Sequence, residues 1–383
     1  MSAPCPNTGA RARRLAEFGS WTALAMCLLV GCQSSIKPAK AEFVDRLERP
    51  ENPEARQQLD LAERDLASGE WKQALSRLEV LCPENAACSR IAILARRAVT
   101  LAPQGERPRL RTAVLERIRT EASKTTDKTE LASLAFGEAL FAGTVREEEQ
   151  SLRRALELAP NHYYALAKLG ECYFGRGELE ASRTVLEKAV SLRPDLAEGW
   201  LLLAQVAEDR GNYKQAVNHY ETYLGLRPLD RRVQLEYARL LAQKLRDGKR
   251  AEATLAKLRQ EDPSNLEVGL DLGFALYLQG RHRDAERLYH EMLERWPREP
   301  RLLLSLGNLY FGALDEPVKA LQTYRWMLAQ RSGDDLLAML GQALFVPARI
   351  RQIEEQLQKG GKAAPAPPKS LSDLMTTWSG RSS

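Results

Sequence analysis

The sequence predicts an all-α protein, a solenoid of helix-turn-helix hairpins, and three observations lead to that prediction. Prolines recur at intervals of 34, 34, 35 and 34 residues, at Pro160, Pro194, Pro228, Pro263 and Pro297. In the same register, small residues form one column: Gly170, Ala204, Ala238, Gly273 and Gly307. Glycines form a second column, at Gly177, Gly211 and Gly280. Self-similarity at a period near 34 residues indicates a stack of helical hairpins.

Each column has a physical reason. A small side chain lets the two helices of a hairpin approach closely, and a glycine after the first helix adopts the left-handed conformation that ends it. Proline cannot continue a helix interior, so it closes the hairpin. The pattern resembles the tetratricopeptide repeat (TPR), most clearly in unit 197–230. The resemblance implies a right-handed superhelix of TPR hairpins, with a concave groove lined by the first helices.

Some units depart from the pattern. Ser182 stands where other units have alanine. The units that begin at residues 231 and 300 each carry one extra residue, which we expect in the turn between the two helices. Unit 130–162 lacks one residue and has Glu148 near the usual alanine column.

The repeat pattern divides the chain into successive regions. Hairpins that resemble TPRs more weakly occupy 54–122, and closing helices are expected to cover the last apolar face of the array. From Gly360 the composition turns to small residues and proline, which is typical of a disordered tail. The predicted regions are a signal peptide (1–31), a lipidated cysteine and tether (32–53), N-terminal hairpins (54–122), a TPR array (130–334, with units near 130–162, 163–196, 197–230, 231–265, 266–299 and 300–334), capping helices (335–358) and the tail (359–383).

Composition excludes several classes of protein. The 383 residues are 44% hydrophobic and 28% charged, which argues against a disordered chain or a multispanning membrane protein. The 56 basic and 51 acidic residues are interspersed, so no clustered basic face for nucleic acid is expected.

No phosphate-binding loop, zinc-protease helix or serine-nucleophile elbow occurs in the sequence. His282 and His290 share no partner at metal-binding spacing, and we expect them to be solvated. The sequence predicts no enzyme, metal, cofactor or small-molecule substrate.

The N-terminus has the pattern of a secretory signal peptide, residues 1–31. Three arginines precede the apolar segment 21–30, which is too short to span a bilayer core of about 30 Å. Residues 29–32, Leu-Val-Gly-Cys, resemble the lipobox of bacterial lipoproteins. The resemblance implies cleavage before Cys32 and acylation of that residue, with each buried CH₂ contributing about 0.8 kcal/mol to anchoring. An uncleaved anchor or a plain secretory signal are the alternatives.

The residue after the lipidated cysteine bears on localisation. In the enterobacterial sorting rule an aspartate there retains a lipoprotein at the inner membrane, whereas this chain has Gln33. The resemblance therefore implies an outer-membrane lipoprotein that faces the periplasm.

An oxidising periplasm would also permit a disulfide between Cys82 and Cys88, which flank five residues between two predicted helices. The alternative is a pair of small buried thiols.

The resemblance also supplies candidate groove residues, because TPR proteins bind partners through the second, fifth, ninth and twelfth positions of their first helices. Four units carry an aromatic residue at the twelfth position, which is typical of peptide or helix recognition. The alternative is that these rings pack between hairpins or under the C-terminal tail. The candidate positions are Leu134, Glu138, Phe141, Tyr164, Glu171, Phe174, Leu201, Gln205, Arg232, Leu235, Arg239, Leu270, Phe274, Tyr277, Arg301, Leu304, Asn308 and Phe311.

These features together predict a lipid-anchored periplasmic scaffold that binds peptides or helices of other envelope proteins. Similar lipoproteins serve pilus biogenesis or secretion, outer-membrane protein insertion, or polysaccharide export. Two alternatives from other classes stay open: an adaptor or activator of cell-wall enzymes, and a structural subunit of a secretion complex. The tail segment 371–378 is a further candidate docking motif, against the expectation that it is disordered.

Overall fold

The protein is helical throughout its described part. A computed structural model describes residues 53–85, 88–329, 345–361 and 363–379. Within these ranges the chain forms eighteen α-helices and no β-strand, which confirms the predicted all-α class. The signal peptide and Cys32 lie outside the described residues, as do residues 330–334 of the last predicted unit and 335–344 of the predicted capping helices.

The chain divides into two compact units, Met1–Leu229 and Asp230–Ser383. The division falls inside the array that the sequence predicts as one run, between two of its hairpins. The described part of the first unit contains ten helices: α1 (Pro53–Ala67), α2 (Trp71–Asn85), α3 (Ser89–Leu101), α4 (Arg107–Ala122), α5 (Lys128–Leu140), α6 (Val145–Leu158), α7 (Tyr163–Arg176), α8 (Leu179–Leu192), α9 (Ala197–Asp209) and α10 (Tyr213–Leu226).

The second unit continues with hairpins of the same kind. Its first hairpin contains a π-helical turn, Leu240–Lys244, at the end of the first helix. Its described helices are α11 (Arg231–Arg239), α12 (Gly248–Glu261), α13 (Leu266–Leu278), α14 (His282–Arg295), α15 (Pro300–Gly312), α16 (Pro317–Ala329), α17 (Val346–Lys359) and α18 (Leu371–Ser379).

The column of small residues lies where the helices of each hairpin cross. Gly170 faces the buried side chain of Leu186, and a Cβ atom placed on Gly170 would lie 2.6 Å from Cγ of that leucine. Ser182, which stands in the alanine column, is fully buried, and its hydroxyl donates a 2.8 Å hydrogen bond to the carbonyl of Gly170. The serine therefore fits because its one polar group has a partner.

The turns between first and second helices use the left-handed conformation. Gly177, Gly211 and Gly280 have φ values of +79°, +77° and +73°. In the two units with an extra residue, the corresponding positions are shifted by one and hold Arg246 (φ +58°) and Asp315 (φ +52°). The same turn thus forms in these units without glycine, at a conformational cost that only glycine avoids.

The sequence predicts that the extra residue of the unit that begins at 231 lies in the turn between its helices, and this prediction is wrong. The extra residue is taken up within the helix, because residues 240–244 form a π-helical turn that holds one residue more than an α-helical turn. In the unit that begins at 300, the additional residue does lengthen the linker, which runs from Ala313 to Glu316 between α15 and α16.

The C-terminal tail is ordered where the structure describes it, so the prediction of disorder for 359–383 is wrong for residues 363–379. The proline-rich stretch crosses α16, where the carbonyl of Ala366 accepts a 2.6 Å hydrogen bond from the Gln322 side chain. Helix α18 then buries Leu374 and Trp378, and the Trp378 indole donates a 3.0 Å hydrogen bond to Thr323 Oγ1. Apolar burial against α16 orders a segment whose composition alone predicts disorder.

Candidate peptide-binding groove

In the first unit, half of the predicted groove positions are buried. Leu134, Phe141, Tyr164 and Leu201 are each less than a tenth exposed, and Phe141 is fully buried. Tyr164 stacks on the ring of Phe136 with a centroid distance of 5.9 Å. These side chains pack between helices and are not accessible to a partner. Of the remaining candidates, Glu138, Glu171, Phe174 and Gln205 are half-buried.

Glu171 belongs to a charged cluster below this surface. The Lys168 ammonium lies 2.8 Å from the Glu171 carboxylate and 3.4 Å from that of Glu148. Burial alone lowers the pKa of Lys168, but these two carboxylates outweigh burial and raise it above its ordinary value. Glu171 therefore neutralises a buried cation, and this role competes with binding a ligand.

In the second unit, charged groups link three successive first helices. Arg239 on α11 lies 2.6 Å from Asp271 and also pairs with Glu267, both on α13. Glu267 in turn pairs with Arg301 on α15, at 2.5 Å. Burial raises the pKa of Glu267, but Arg301 and Arg239 outweigh it and lower the pKa, so this carboxylate stays ionised. Two predicted groove arginines, Arg239 and Arg301, are thus joined through Glu267, and Asp271 also binds the first of them.

Next to this network lies the aromatic patch, which we define as Phe274, Tyr277, His282 and Arg246. Phe274 and Tyr277 stack with a centroid distance of 6.2 Å, and Tyr277 stacks on His282 at 5.3 Å. The Arg246 guanidinium lies 5.5 Å from the centre of the Phe274 ring. Tyr277 is 38% exposed, a large value for an aromatic residue that packs on both sides. The patch offers stacked rings and a cation at the surface, a combination suited to binding a peptide.

The C-terminal part of the second unit closes off the remaining groove positions. Leu304 is buried, and the Asn308 side chain accepts hydrogen bonds from Tyr324 (2.7 Å) and from Arg349 of α17. The guanidinium of Arg349 also lies 5.6 Å from the ring centre of Phe311. Helix α17 therefore occupies this end of the surface. Arg232, Leu235 and Leu270 are at least partly exposed.

The four twelfth-position aromatics thus divide between the two predicted alternatives. Phe141 is buried between helices, as the packing alternative predicts, and Phe311 lies beside Arg349 of α17, in the region predicted to cap the array. Phe174 is half-buried, and Tyr277 is exposed. Sequence reasoning missed Arg246 and His282 of the patch, since neither occupies a first-helix groove position. The only sequence signal was that Arg246 falls near the turn of a unit without its glycine.

The two histidines predicted to be solvated have specific contacts. His282 stacks on Tyr277, while His290 is half-buried, with Nε2 2.7 Å from the Tyr310 hydroxyl. The His290 ring also lies 4.7 Å from that of Trp378 in α18. Both side chains therefore take part in packing, because rings of neighbouring elements reach them.

Other predicted sites have the following outcomes. Cys88 is buried directly before α3, whereas the Cys82 side chain lies outside the described residues, so the disulfide stays a prediction. No group of metal-binding side chains occurs among the described residues. None of the helices in the described part of the chain has the length and apolar character needed to span a bilayer.

Two family models match the chain. Residues 175–301 match the TPR domain of cytochrome c-type biogenesis protein H, and residues 138–197 and 270–335 match a tetratricopeptide repeat model. Together the matches run from residue 138 to 335, just over half of the chain. The chain belongs to the tetratricopeptide repeat family. No curated protein matches the sequence.

Several solved TPR structures are similar to this chain. One, from Parabacteroides merdae, has 17% sequence identity and a TM-score of 0.43, and covers 68% of this chain and 97% of its own. YrrB, a TPR protein with an unusual peptide-binding site, has 18% identity and a TM-score of 0.43, covering 52% and 99%. PilW, a type IV pilus biogenesis factor, has 19% identity and a TM-score of 0.37, covering 56% and 98%. Likeness at these identities extends no further than the fold.

Proposed function

We propose that this TPR protein is a scaffold of the bacterial cell envelope, which captures a peptide or helical segment of another envelope protein on the aromatic patch. The partly exposed stack of Phe274 and Tyr277, with the Arg246 guanidinium against the Phe274 ring, carries the proposal. Aromatic and arginine side chains are the residues that most often dominate binding energy at protein interfaces. Assembly of a pilus or secretion apparatus, of the outer membrane, or of a surface polysaccharide is the setting we propose for this capture.

The charged network beside the patch supports a fixed binding surface. Arg239 and Arg301 are each held by carboxylates of α13, so the first helices are tied together across the face that presents the patch. A surface held in this way loses little conformational entropy when a partner binds. The partner's segment therefore meets rings that are already stacked.

We further propose that the protein is tethered by acyl chains on Cys32, in the outer membrane and facing the periplasm. The support is the sequence Leu-Val-Gly-Cys at residues 29–32 after a short apolar segment, followed by Gln33. Several acyl chains on one residue give stable anchoring, whereas a single chain binds a membrane reversibly. The residues between Cys32 and Pro53 would then separate the first hairpin from the bilayer.

Site-specific crosslinking in intact cells tests the capture of a partner. A photoreactive phenylalanine analogue at position 277 should give a crosslinked product with an envelope protein, identified by mass spectrometry. The matched control places the analogue at Val318, which is comparably exposed on the second helix α16. Adding Phe274→Ala to the chain that carries the analogue at 277 should lower the yield by about tenfold, as expected for an aromatic anchor. Equal products from both positions would contradict the proposal.

Metabolic labelling tests the anchor independently. An alkyne fatty acid should label the wild-type chain and leave the Cys32→Ser variant unlabelled. The variant should also leave the membrane fraction, while Cys88→Ser, which removes a cysteine buried in the first unit, should behave like wild type in both assays. A label that persists in Cys32→Ser places the acyl chains elsewhere and overturns this part of the proposal.

A further inference from the structure

A second candidate site lies in the first unit, in a cleft that we call the arginine cleft. It has a volume of about 720 Å³ and lies between α3, α4 and the turn that joins α5 to α6. This volume is within the usual range for ligand sites of about 300–1,000 Å³. The cleft shares no residue with the aromatic patch, since that patch belongs to the other unit.

The lining of the cleft carries an excess of positive charge. Four arginines contribute to it, against two acids, Glu138 and Glu147, so two positive charges are uncompensated. Glu147 is already engaged, because its carboxylate accepts a 2.8 Å hydrogen bond from the Gly143 amide. Glu138 lies 3.9 Å from one of these arginines and 3.6 Å from Arg154. The arginines of the cleft are Arg96, Arg107, Arg111 and Arg119.

Two of these arginines are held in place by neutral groups. Arg107 Nε donates a 2.7 Å hydrogen bond to the carbonyl of Ala102, and Arg111 Nε donates a 2.8 Å bond to the carbonyl of Phe141. Neither of them, nor Arg96, forms an ion pair with any described residue. Burial and then the like charge of Arg111 lower the pKa of Arg96, and together they outweigh the carboxylates of Glu148 and Glu171, which raise it. Arg107 and Arg111 are therefore oriented by hydrogen bonds to carbonyls, and no carboxylate lies within ion-pair distance of them among the described residues.

The same cleft also has an apolar part. Val99 and Phe141 are buried at its wall, and Leu115 and Pro108 of α4 contribute partly exposed carbon surface. A small inorganic anion would leave this surface uncovered. A ligand that carries both carboxylates and aliphatic side chains would use the two parts together, since guanidinium groups bind carboxylates with two parallel hydrogen bonds.

We propose that the arginine cleft binds an acidic peptide segment of a partner protein, with its carboxylates on Arg96 and Arg111 and its apolar side chains against Pro108 and Leu115. This site is additional to the aromatic patch and does not depend on it.

Fluorescence anisotropy with a labelled peptide of glutamate and leucine tests the proposal on the full-length chain. We expect the peptide to bind, and a matched peptide with glutamine in place of glutamate to bind at least about tenfold more weakly. Binding should weaken as the salt concentration rises, because exposed charges are screened. If inorganic phosphate displaces the peptide when the two carry the same total concentration of negative charge, the cleft is a site for small anions and the proposal is wrong. Equal binding of the two peptides, or no binding of either, would also overturn it.

Variants locate the binding. Arg96→Gln combined with Arg111→Gln should weaken binding by about tenfold or more, whereas Arg109→Gln, on the exposed side of the same helix α4, should change it less than about twofold. Arg111 also holds the Phe141 carbonyl, so the single variant Arg96→Gln, which breaks no hydrogen bond of the described chain, separates ligand loss from misfolding. Phe274→Ala with Tyr277→Ala should leave this binding unchanged. Full affinity in Arg96→Gln and in the double variant would overturn the assignment.

Discussion

The close approach of helices in each hairpin makes Gly273→Ala a strong test of the packing. A Cβ atom at this position would lie 2.2 Å from Cε1, 2.3 Å from Cζ and 2.5 Å from Oη of Tyr289. Carbon atoms in contact prefer separations of about 3.5–4.0 Å, so the ring would have to move by more than about 1 Å. Tyr289 is only 4% exposed and has little room for such a shift.

The expected change in stability follows from two opposing effects. Overpacking a well-filled core costs about 1–3 kcal/mol and occasionally more. Replacing glycine by alanine inside a helix contributes about 1 kcal/mol in the other direction. Because the contacts are so short, we expect a net loss of about 2 kcal/mol. Gly225→Ala is the matched control, since no atom lies within 4 Å of its Cβ position in α10, and it should stabilise by about 0.5 kcal/mol.

Hydrogen exchange measured by mass spectrometry reports the stability of each hairpin within the full-length chain, on peptides that cover α13 and α14 for Gly273→Ala and α9 and α10 for Gly225→Ala. A second substitution tests the cause, because the hairpin α11–α12 pairs Ala238 with Leu255 at the same column. The double variant Gly273→Ala/Tyr289→Leu reproduces that pair. Its loss of stability should be about 1–2 kcal/mol smaller than the sum of the losses in the two single variants. If Gly273→Ala is as stable as Gly225→Ala, the account of the small-residue column is wrong.

Three further predictions concern a buried histidine, a turn and the tail. Burial lowers the pKa of His162 from 6.5 to about 4, so the first unit should be most stable above pH 6.5 and lose about 3 kcal/mol as the pH falls to 4. In the His162→Asn variant, the free energy of unfolding measured with urea should depend less on pH across this range. An unchanged pH dependence would show that His162 is not its source. Gly211→Ala should lower the free energy of unfolding by about 1 kcal/mol, because φ is +77° there, although no atom lies within 4 Å of the added Cβ. The midpoint of thermal unfolding measures this loss, and an unchanged midpoint would show that the added side chain causes no conformational strain. Trp378→Ala should release α18 from α16 and make residues 363–379 sensitive to limited proteolysis, whereas Met375→Ala, at an exposed position of the same helix, should leave them protected. Protection of the tail in both variants would show that Trp378 does not hold it.

The repeat itself was predictable from sequence because its signals are local. A glycine at the turn, a small residue at the crossing and a proline after the second helix each specify one step of the hairpin. The π-helical turn Leu240–Lys244 could not be predicted, because one extra residue fits in a helix or in a linker and the local sequence favours neither. Helix α18 was missed because its order comes from tertiary contacts of Leu374 and Trp378, which composition does not reveal.

The candidate site was predicted only in part, for a related reason. The family columns give the position of a side chain along its own helix, but its exposure depends on what lies against that helix. Phe141 and Tyr277 occupy equivalent columns, yet the first is fully buried and the second is 38% exposed. The difference lies in neighbours outside the repeat register: Phe141 lies against the α3–α4 hairpin, where Arg111 of α4 bonds to its carbonyl, whereas the ring contacts described for Tyr277 are with Phe274 and His282 of the patch. The arginine cleft was missed because its arginines are spread over 24 residues of two helices, α3 and α4, that lie outside the regular repeat units.

The π-helical turn has a consequence for how such a chain can change length during evolution. One additional residue is absorbed inside a helix at Leu240–Lys244 and in a linker near Asp315, and in both cases the partner helices still meet at their crossing residues. Because each hairpin contacts chiefly its neighbours, a one-codon insertion leaves every downstream hairpin in phase. Recombination between repeats of unequal length would therefore still yield arrays that stack.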